Sequence, residues 1–174
     1  KKKKKKKKKK KNILGEKKKR KIKLIFILVL LLILFTFCGN KQKTEKERTD
    51  ILYSYKTEYV GDASKVIDIV YSLEYGKETK PNGIEIESKQ EPYGLKIYLE
   101  GKESIDEEKL FKNSVVIFSL IGNLSEIKYM KKENGEKIKE FDKEEVRKVL
   151  LEKENKNLDE IGKSKENLEK YLGE

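Results

Sequence analysis

The chain contains no histidine, no tryptophan, one cysteine, one methionine and two prolines in 174 residues. Without histidine it cannot run a Ser-His-Asp triad or imidazole acid–base catalysis. A zinc site built on cysteine and histidine is excluded for the same reason. A single cysteine closes no intrachain disulfide, so the fold must rest on its apolar core. No glycine-rich phosphate loop and no EF-hand spacing occurs. Carboxylate-only catalysis, as in glycoside hydrolysis, needs just two placed acids and stays open. The acids, however, stand in charged runs such as Glu103–Glu108 and Glu133–Glu145, the pattern of solvated faces and helix caps. The chain therefore reads as a non-enzyme that needs no cofactor and no metal.

The formal charge of +12 suggests nucleic acid until its distribution is examined. Residues 1–23 hold 17 of the 43 lysines and arginines and one of the 31 acids. The remainder carries 26 bases against 30 acids, a net of −4. A nucleic-acid binder carries its basic footprint on the folded domain. Here the positive charge belongs to a tail, and no nucleic-acid partner is expected.

That tail is ordered like a targeting device. Lys1–Lys11 is a homopolymer, a low-complexity run whose plainest role is its charge. Leu24–Phe37 (LIFILVLLLILFTF) is uncharged and almost wholly apolar, and Cys38, Gly39 and Asn40 follow it. Positive, then apolar, then small and polar is the order of a secretory signal. As a helix, residues 24–38 would reach about 22 Å, short of a ~30 Å hydrocarbon core. Cys38 stands where a bacterial lipoprotein signal places its lipidated cysteine, and Gly39 agrees with that. Phe35 and Phe37 depart from the aliphatic and small residues usual before such a cysteine. Two outcomes stay open: lipidation of Cys38 after cleavage, or an uncleaved anchor. In both, the lysine-rich side faces the cytoplasm, the N-terminal segment meets membrane lipid, and the rest of the chain lies on the extracytoplasmic side of the cell membrane.

The expected organisation is a poly-lysine region over 1–23, a hydrophobic segment over 24–38, a polar tether over 39–49, a domain over 50–152 and a charged extension over 153–174. Within the domain, Ile51–Val60 is rich in tyrosine and aliphatics and reads as a strand. Gly61 and Asp62 break it, and the Asp62 carboxylate is placed to cap the next helix. Val66, Ile69, Val70 and Leu73 give that helix one apolar stripe. The Lys80-Pro81-Asn82-Gly83 cluster reads as a turn. Ile84–Ser88 and Leu95–Leu99 alternate as half-buried strands, with Glu91–Gly94 turning between them. Ser104 and Glu107 form a capping box before a helix carrying Leu110, Phe111, Val115, Ile117, Phe118 and Ile121. That helix is apolar on more than one side and is expected at the centre. Asn134-Gly135 marks a hairpin between Leu124–Met130 and Lys137–Phe141. Asp142 caps a last helix with Val146, Val149 and Leu150. The residues beyond Lys153 read as one weak helix or a frayed end. The fold class is α+β, a small mainly antiparallel sheet with two or three helices on one face, preceded by the signal or anchor helix.

Tyr55-Lys56-Thr57, Tyr59-Val60-Gly61-Asp62, Ser64-Lys65-Val66 and Glu91-Pro92-Tyr93-Gly94-Leu95 occur in this order, with Phe118, Ile121 and Asn123 downstream. Together they resemble the uncharacterised bacterial family called domain of unknown function 4825, over about Asp50–Tyr129. Ala63 stands where the family pattern has Asn, and Ser88 where it has Thr. The resemblance implies an exported domain of membrane-anchored proteins, found in some members beside signalling or peptidase modules. It supplies no catalytic residues.

Candidate contacts for an anion or other ligand are Asp62, Ser64, Lys65 and Tyr93. Free N–H groups at a helix start beside Lys65 can hold an anion; the plainer reading is a capped helix after a turn. Tyr93 is either an exposed recognition aromatic or a side chain packed over its turn. The expected function is a membrane-anchored binding or sensing module without catalysis, meeting an envelope protein or ligand. The alternatives are a carboxylate-dependent envelope hydrolase and a purely structural lipoprotein.

Overall fold

The computed structural model describes residues 46–101 and 106–173. Cys38, the apolar run before it and the first part of the expected tether lie outside the described residues. The described chain opens with helix α1, residues 46–54. This corrects the strand expected over Ile51–Val60. Thr49 and Leu52 are fully buried one helical turn apart, while Ile51 between them is half exposed. A window starting at Ile51 sees only the second half of that helix, because its first turn is polar. The chain then runs as a strap over residues 55–62, with one parallel bridge between Thr57 and Ile121.

Helix α2 (Ala63–Tyr71) buries Val66, Ile69 and Val70, as its spacing requires. Strand β1 (Lys80–Glu87) begins four residues before its expected start. Lys80–Gly83 does not turn the chain. A register shift between Pro81 and Ile84, with Gly83 at φ 114°, lets the strand pass through these residues as a bulge. β1 is an edge strand, where a proline's missing N–H does no harm.

Strand β2 (Gly94–Glu100) pairs antiparallel with β1. Helix α3 (Glu107–Leu120) follows, and strand β3 (Glu126–Lys131) returns parallel to β2. Parallel neighbours need a long crossover, and the 14-residue helix supplies it. Strand β4 (Lys137–Asp142) closes the Asn134-Gly135 hairpin, with Gly135 at φ 68°. The sheet order is β1-β2-β3-β4, with two antiparallel pairs and one parallel pair. Ser104 lies outside the described residues. The cap of α3 is Asp106, whose carboxylate accepts from the N–H groups of Glu108 and Lys109.

One face of the sheet carries the core. Leu95, Ile97, Leu99, Ile127, Tyr129 and Phe141 point into it, and α3 contributes Leu110, Val115, Ile117 and Phe118. Tyr75, Tyr129, Phe141 and Phe111 form a chain of edge-on rings with centroids 6.0–6.3 Å apart. The buried Tyr129 hydroxyl is satisfied by Ser114 Oγ at 3.1 Å and the Leu110 carbonyl at 3.3 Å. Burial pushes its pKa up.

Helix α4 (Lys143–Glu154) ends at Asn155, which takes the left-handed conformation at φ 53°. The residues expected as one weak helix or a frayed end form two helices, α5 (Leu158–Ile161) and α6 (Lys165–Leu172). Leu158, Ile161, Leu168 and Tyr171 join the same core. This segment also ties back to α1 and the strap. The Tyr53 hydroxyl donates to the Lys163 carbonyl at 3.1 Å, Lys56 Nζ to the Gly162 carbonyl at 2.7 Å, and Lys165 pairs with Asp50. The segment 153–173 is therefore part of the folded unit, and so are residues 46–49.

Candidate functional site

Asp62 holds the N-cap position of α2, yet its side chain makes no capping hydrogen bond. Its ψ of 74° departs from the extended backbone that aims a capping carboxylate at the helix N–H groups. Instead Asp62 pairs with Lys65 at 3.5 Å, and Ser64 stands exposed beside them. A carboxylate at the mouth of the helix offsets the positive end that would draw an anion. Tyr93 shares no hydrogen bond or ion pair with this corner. It is half-buried against the core, and its carbonyl accepts from the N–H groups of Ser125 and Glu126 at 2.9 and 3.2 Å. Of the four candidate contacts, the structure thus pairs Asp62 with Lys65. Asp62→Ala should change stability by less than ~0.5 kcal/mol, whereas Asp142→Ala should cost ~1 kcal/mol. Asp142 does cap, accepting from Glu144 and Glu145 N–H at 2.8 and 3.2 Å. Urea unfolding of the two variants separates them.

Some of the residues that carry the family likeness, Thr57 and Val60 of the strap and Asn123 after α3, are tied together by main-chain bonds. Thr57 N–H donates to the Leu120 carbonyl, and Gly122 and Asn123 N–H donate to the carbonyls of Thr57 and Glu58, all at 2.9–3.0 Å. Asn123 Oδ1 accepts from Val60 N–H at 2.7 Å. These groups pin the strap to the end of α3. Their role is structural, and their spacing in sequence does not reveal it.

The outer face of the sheet is a ladder of charges. Lys96 sits between Glu85 and Glu87 at 3.1 and 2.9 Å, and the Tyr98 hydroxyl donates to Glu85 at 3.1 Å. The hydrogen bond from Lys96 holds the Glu85 carboxyl below its ordinary range. Next to it, Lys128 Nζ lies 2.5 Å from Glu126 and 3.9 Å from Glu140. Glu140 is lowered to about 2, by the hydrogen bond from Glu126 and then by Lys137, while Glu126 is raised. A raised carboxyl disfavours the fold once it ionises, so its cost appears as pH rises through its folded pKa. Glu126→Gln should therefore stabilise the protein at pH 7 by up to ~1 kcal/mol, a modest figure for partly exposed charges. The gain should vanish toward pH 3, where Glu126 is protonated in both states. Urea midpoints across pH 3–7 test the sign.

A third feature is a groove of about 790 Å³ between the start of α3, β4 and α4. Phe111, Phe141, Val146 and Val149 form its apolar floor, and Glu107, Glu108, Glu140, Glu145 and Glu154 rim it with Lys139 and Lys153. Lys139 pairs with Glu107 at 2.8 Å. Among the described residues Glu108, Glu145 and Lys153 have no ion-pair partner. The apolar spacing along α3 and α4 points Phe111 and Val149 to the core, whereas the structure sets them on the groove floor. The available signal was an α3 apolar on two sides with no further element to cover the second.

Among the described residues no group of three or more acids or cysteines could hold a metal ion, and no helix is long and apolar enough to cross a membrane. No curated protein and no solved structure matches the chain. A family model described as Domain of unknown function (DUF4825) matches residues 52–144, from α1 through the whole sheet to the first turn of α4. That match spans more than half of the 174 residues, and the chain belongs to this family of domains of unknown function.

Proposed function

We propose that this protein is a membrane-held, non-catalytic binding module whose domain stands on the extracytoplasmic side and engages a protein of the membrane or envelope. The observation that carries the binding reading is the open groove with an apolar floor and charged rim, the form of a recognition surface. The order of basic tail, apolar run and Cys38 supports the anchoring and the membrane-lipid contact. Intact mass of the protein from membranes, with and without Cys38→Ala, tests the anchor. A lipid on an N-terminal Cys38 makes it a lipoprotein; an unlipidated chain retaining residues 1–37 makes it an uncleaved anchor; recovery in the soluble fraction overturns the reading. Cross-linked capture from membranes tests binding, and no enrichment over an anchor-only control counts against it.

One observation favours a second reading, an envelope hydrolase. Glu126 and Glu140 both lie within 4 Å of the Lys128 ammonium and titrate apart, as an acid and base pair would. They stand on the outer face of the sheet. Release of soluble glycan from envelope material by the parent, lost in Glu126→Gln, would replace the binding reading with this one.

A further inference from the structure

Resting on the membrane-held reading, we infer that the exposed face of α2 and the hollow at its C-terminal end rest on the phospholipid surface of the protein's own membrane. Three observations converge on it. First, α2 exposes Ala63, Ser64, Ile67 and Tyr71, none of them charged, in a chain that is 43% charged. By contrast α3 exposes Glu107, Glu108 and Lys112, and α6 exposes Glu166 and Lys170. Ile67 and Tyr71, one turn apart, are 41% and 50% exposed. An exposed isoleucine beside a tyrosine has the make-up of an interfacial contact, with an aliphatic body for the acyl boundary and a ring for the headgroup level.

Second, Tyr71 also lines a hollow of about 610 Å³, together with Glu74, Lys77, Lys80 and Asn82. Lys77 and Lys80 are exposed and, among the described residues, have no ion-pair partner. The one carboxylate of the lining, Glu74, is held by Arg48 at 3.2 Å. Of the nearby acids, Asp68 is half-buried on α2 and Glu78 stands outside the lining. Flexible ammonium groups at the edge of an apolar stripe suit lipid phosphates, which they reach while their stems lie along the surface.

Third, the path of the chain keeps this face close to the lipid. Arg48, the partner of Glu74, stands in the first turn of α1. Residues 39–45, between Cys38 and α1, span about 25 Å at most when fully extended. A tether this short raises the effective concentration of a weak contact to the millimolar range. Size favours the same occupant. A few side chains fall short of the ~800 Å² per partner that a specific protein interface buries, whereas a tethered surface contact needs far less.

The chain has no tryptophan, so Ile67→Trp supplies a single reporter on this face, and Leu151→Trp, at a position 56% exposed on α4, supplies the control. α2 packs by β1 and α4 by β4, at opposite edges of the sheet. Each full chain is reconstituted into vesicles of phosphatidylcholine and phosphatidylglycerol, with and without bromine on the acyl chains. Ile67→Trp emission should fall about twofold in the brominated vesicles, with Leu151→Trp unchanged. Adding Lys77→Glu and Lys80→Glu, both on exposed side chains, should restore most of that emission. Circular dichroism confirms that the variants fold. Equal quenching at both positions, no quenching at Ile67→Trp in chains that float with the vesicles, or quenching indifferent to the lysine changes overturns the inference. An Ile67→Trp emission shifted to shorter wavelength without bromine quenching means a protein cover, a second copy or a partner, and overturns it too. Chains that float leave the membrane-held reading standing in each of these cases. Chains that do not float remove that reading and the inference with it.

Discussion

Gly162→Ala should unfold at a far lower urea concentration than the parent, with a loss of about 3 kcal/mol or more. Gly162 sits at the end of α5 with φ −84° and ψ −1°, a conformation that alanine adopts freely. On backbone grounds alone the substitution would stabilise by ~0.4–1 kcal/mol, because alanine has less freedom to lose. Space decides the opposite sign. A Cβ there would lie 1.9 Å from the Ser119 carbonyl oxygen and 2.7 Å from its carbon. Both are main-chain atoms of the last turn of α3 and cannot swing aside as a side chain would. Gly122 supplies the contrast: its nearest would-be contact, at 2.5 Å, is the mobile Glu58 carboxylate, with main-chain atoms no nearer than 3.1 Å. Gly135 meets nothing within 4 Å, and its substitution carries only the ~1 kcal/mol cost of a positive φ. The expected order of loss is therefore Gly162, then the other two. A neutral or stabilising Gly162→Ala would mean that α5 does not press on α3 as described.

Leu158→Ala should cost about 2–5 kcal/mol, as much as truncating a leucine at the centre of the sheet's core. Leu158 is fully buried, and so is Leu168, with Ile161 and Tyr171 each 6% exposed. A loosely attached extension would show a change within ~0.5 kcal/mol. The stronger form of the test shortens the chain after Asn155. That deletion removes all four side chains and the bonds from Tyr53 and Lys56 to α5 and its exit. Against a typical total stability of about 5–15 kcal/mol, such a loss should abolish cooperative unfolding. Thermal melts followed by circular dichroism would show a broad slope in place of a transition. The segment that carries the family match, residues 52–144, would then be the recognisable part of the domain and not an independent folding unit. A sharp melt from the shortened chain would restore the reading of 153–174 as an appendage.

Both changes fall in a segment whose two helices are not legible in the sequence, for a physical reason. Leu158, Ile161, Leu168 and Tyr171 are spread over two four- to eight-residue helices separated by Gly162–Ser164. No single helical period links them, and lysine and glutamate dominate between. The groove was missed for a related reason. Whether Phe111 is core or half-exposed depends on how far α4 covers α3, and spacing along one helix does not contain that distance. Asp62 shows the limit at a single residue: its type and place are right for a cap, but a backbone ψ set by the strap turns the carboxylate to Lys65.

By itself the sequence determined what is local. Alternation placed β2, the i, i+3, i+4 spacing placed α2, Asn134-Gly135 placed the hairpin, and Asp142 its cap, because each depends on neighbours a few residues away. Composition likewise determined that no histidine chemistry and no intrachain disulfide is open to this chain. Only the tertiary structure decided what depends on distant contacts. It made 46–54 a helix, where tyrosine and isoleucine favour a strand, because Thr49 and Leu52 bury together on that period. It carried β1 through Pro81 and Gly83, and docked the last two helices on α3 and α1. In each case burial against a remote segment outweighed a local preference worth about 1 kcal/mol or less.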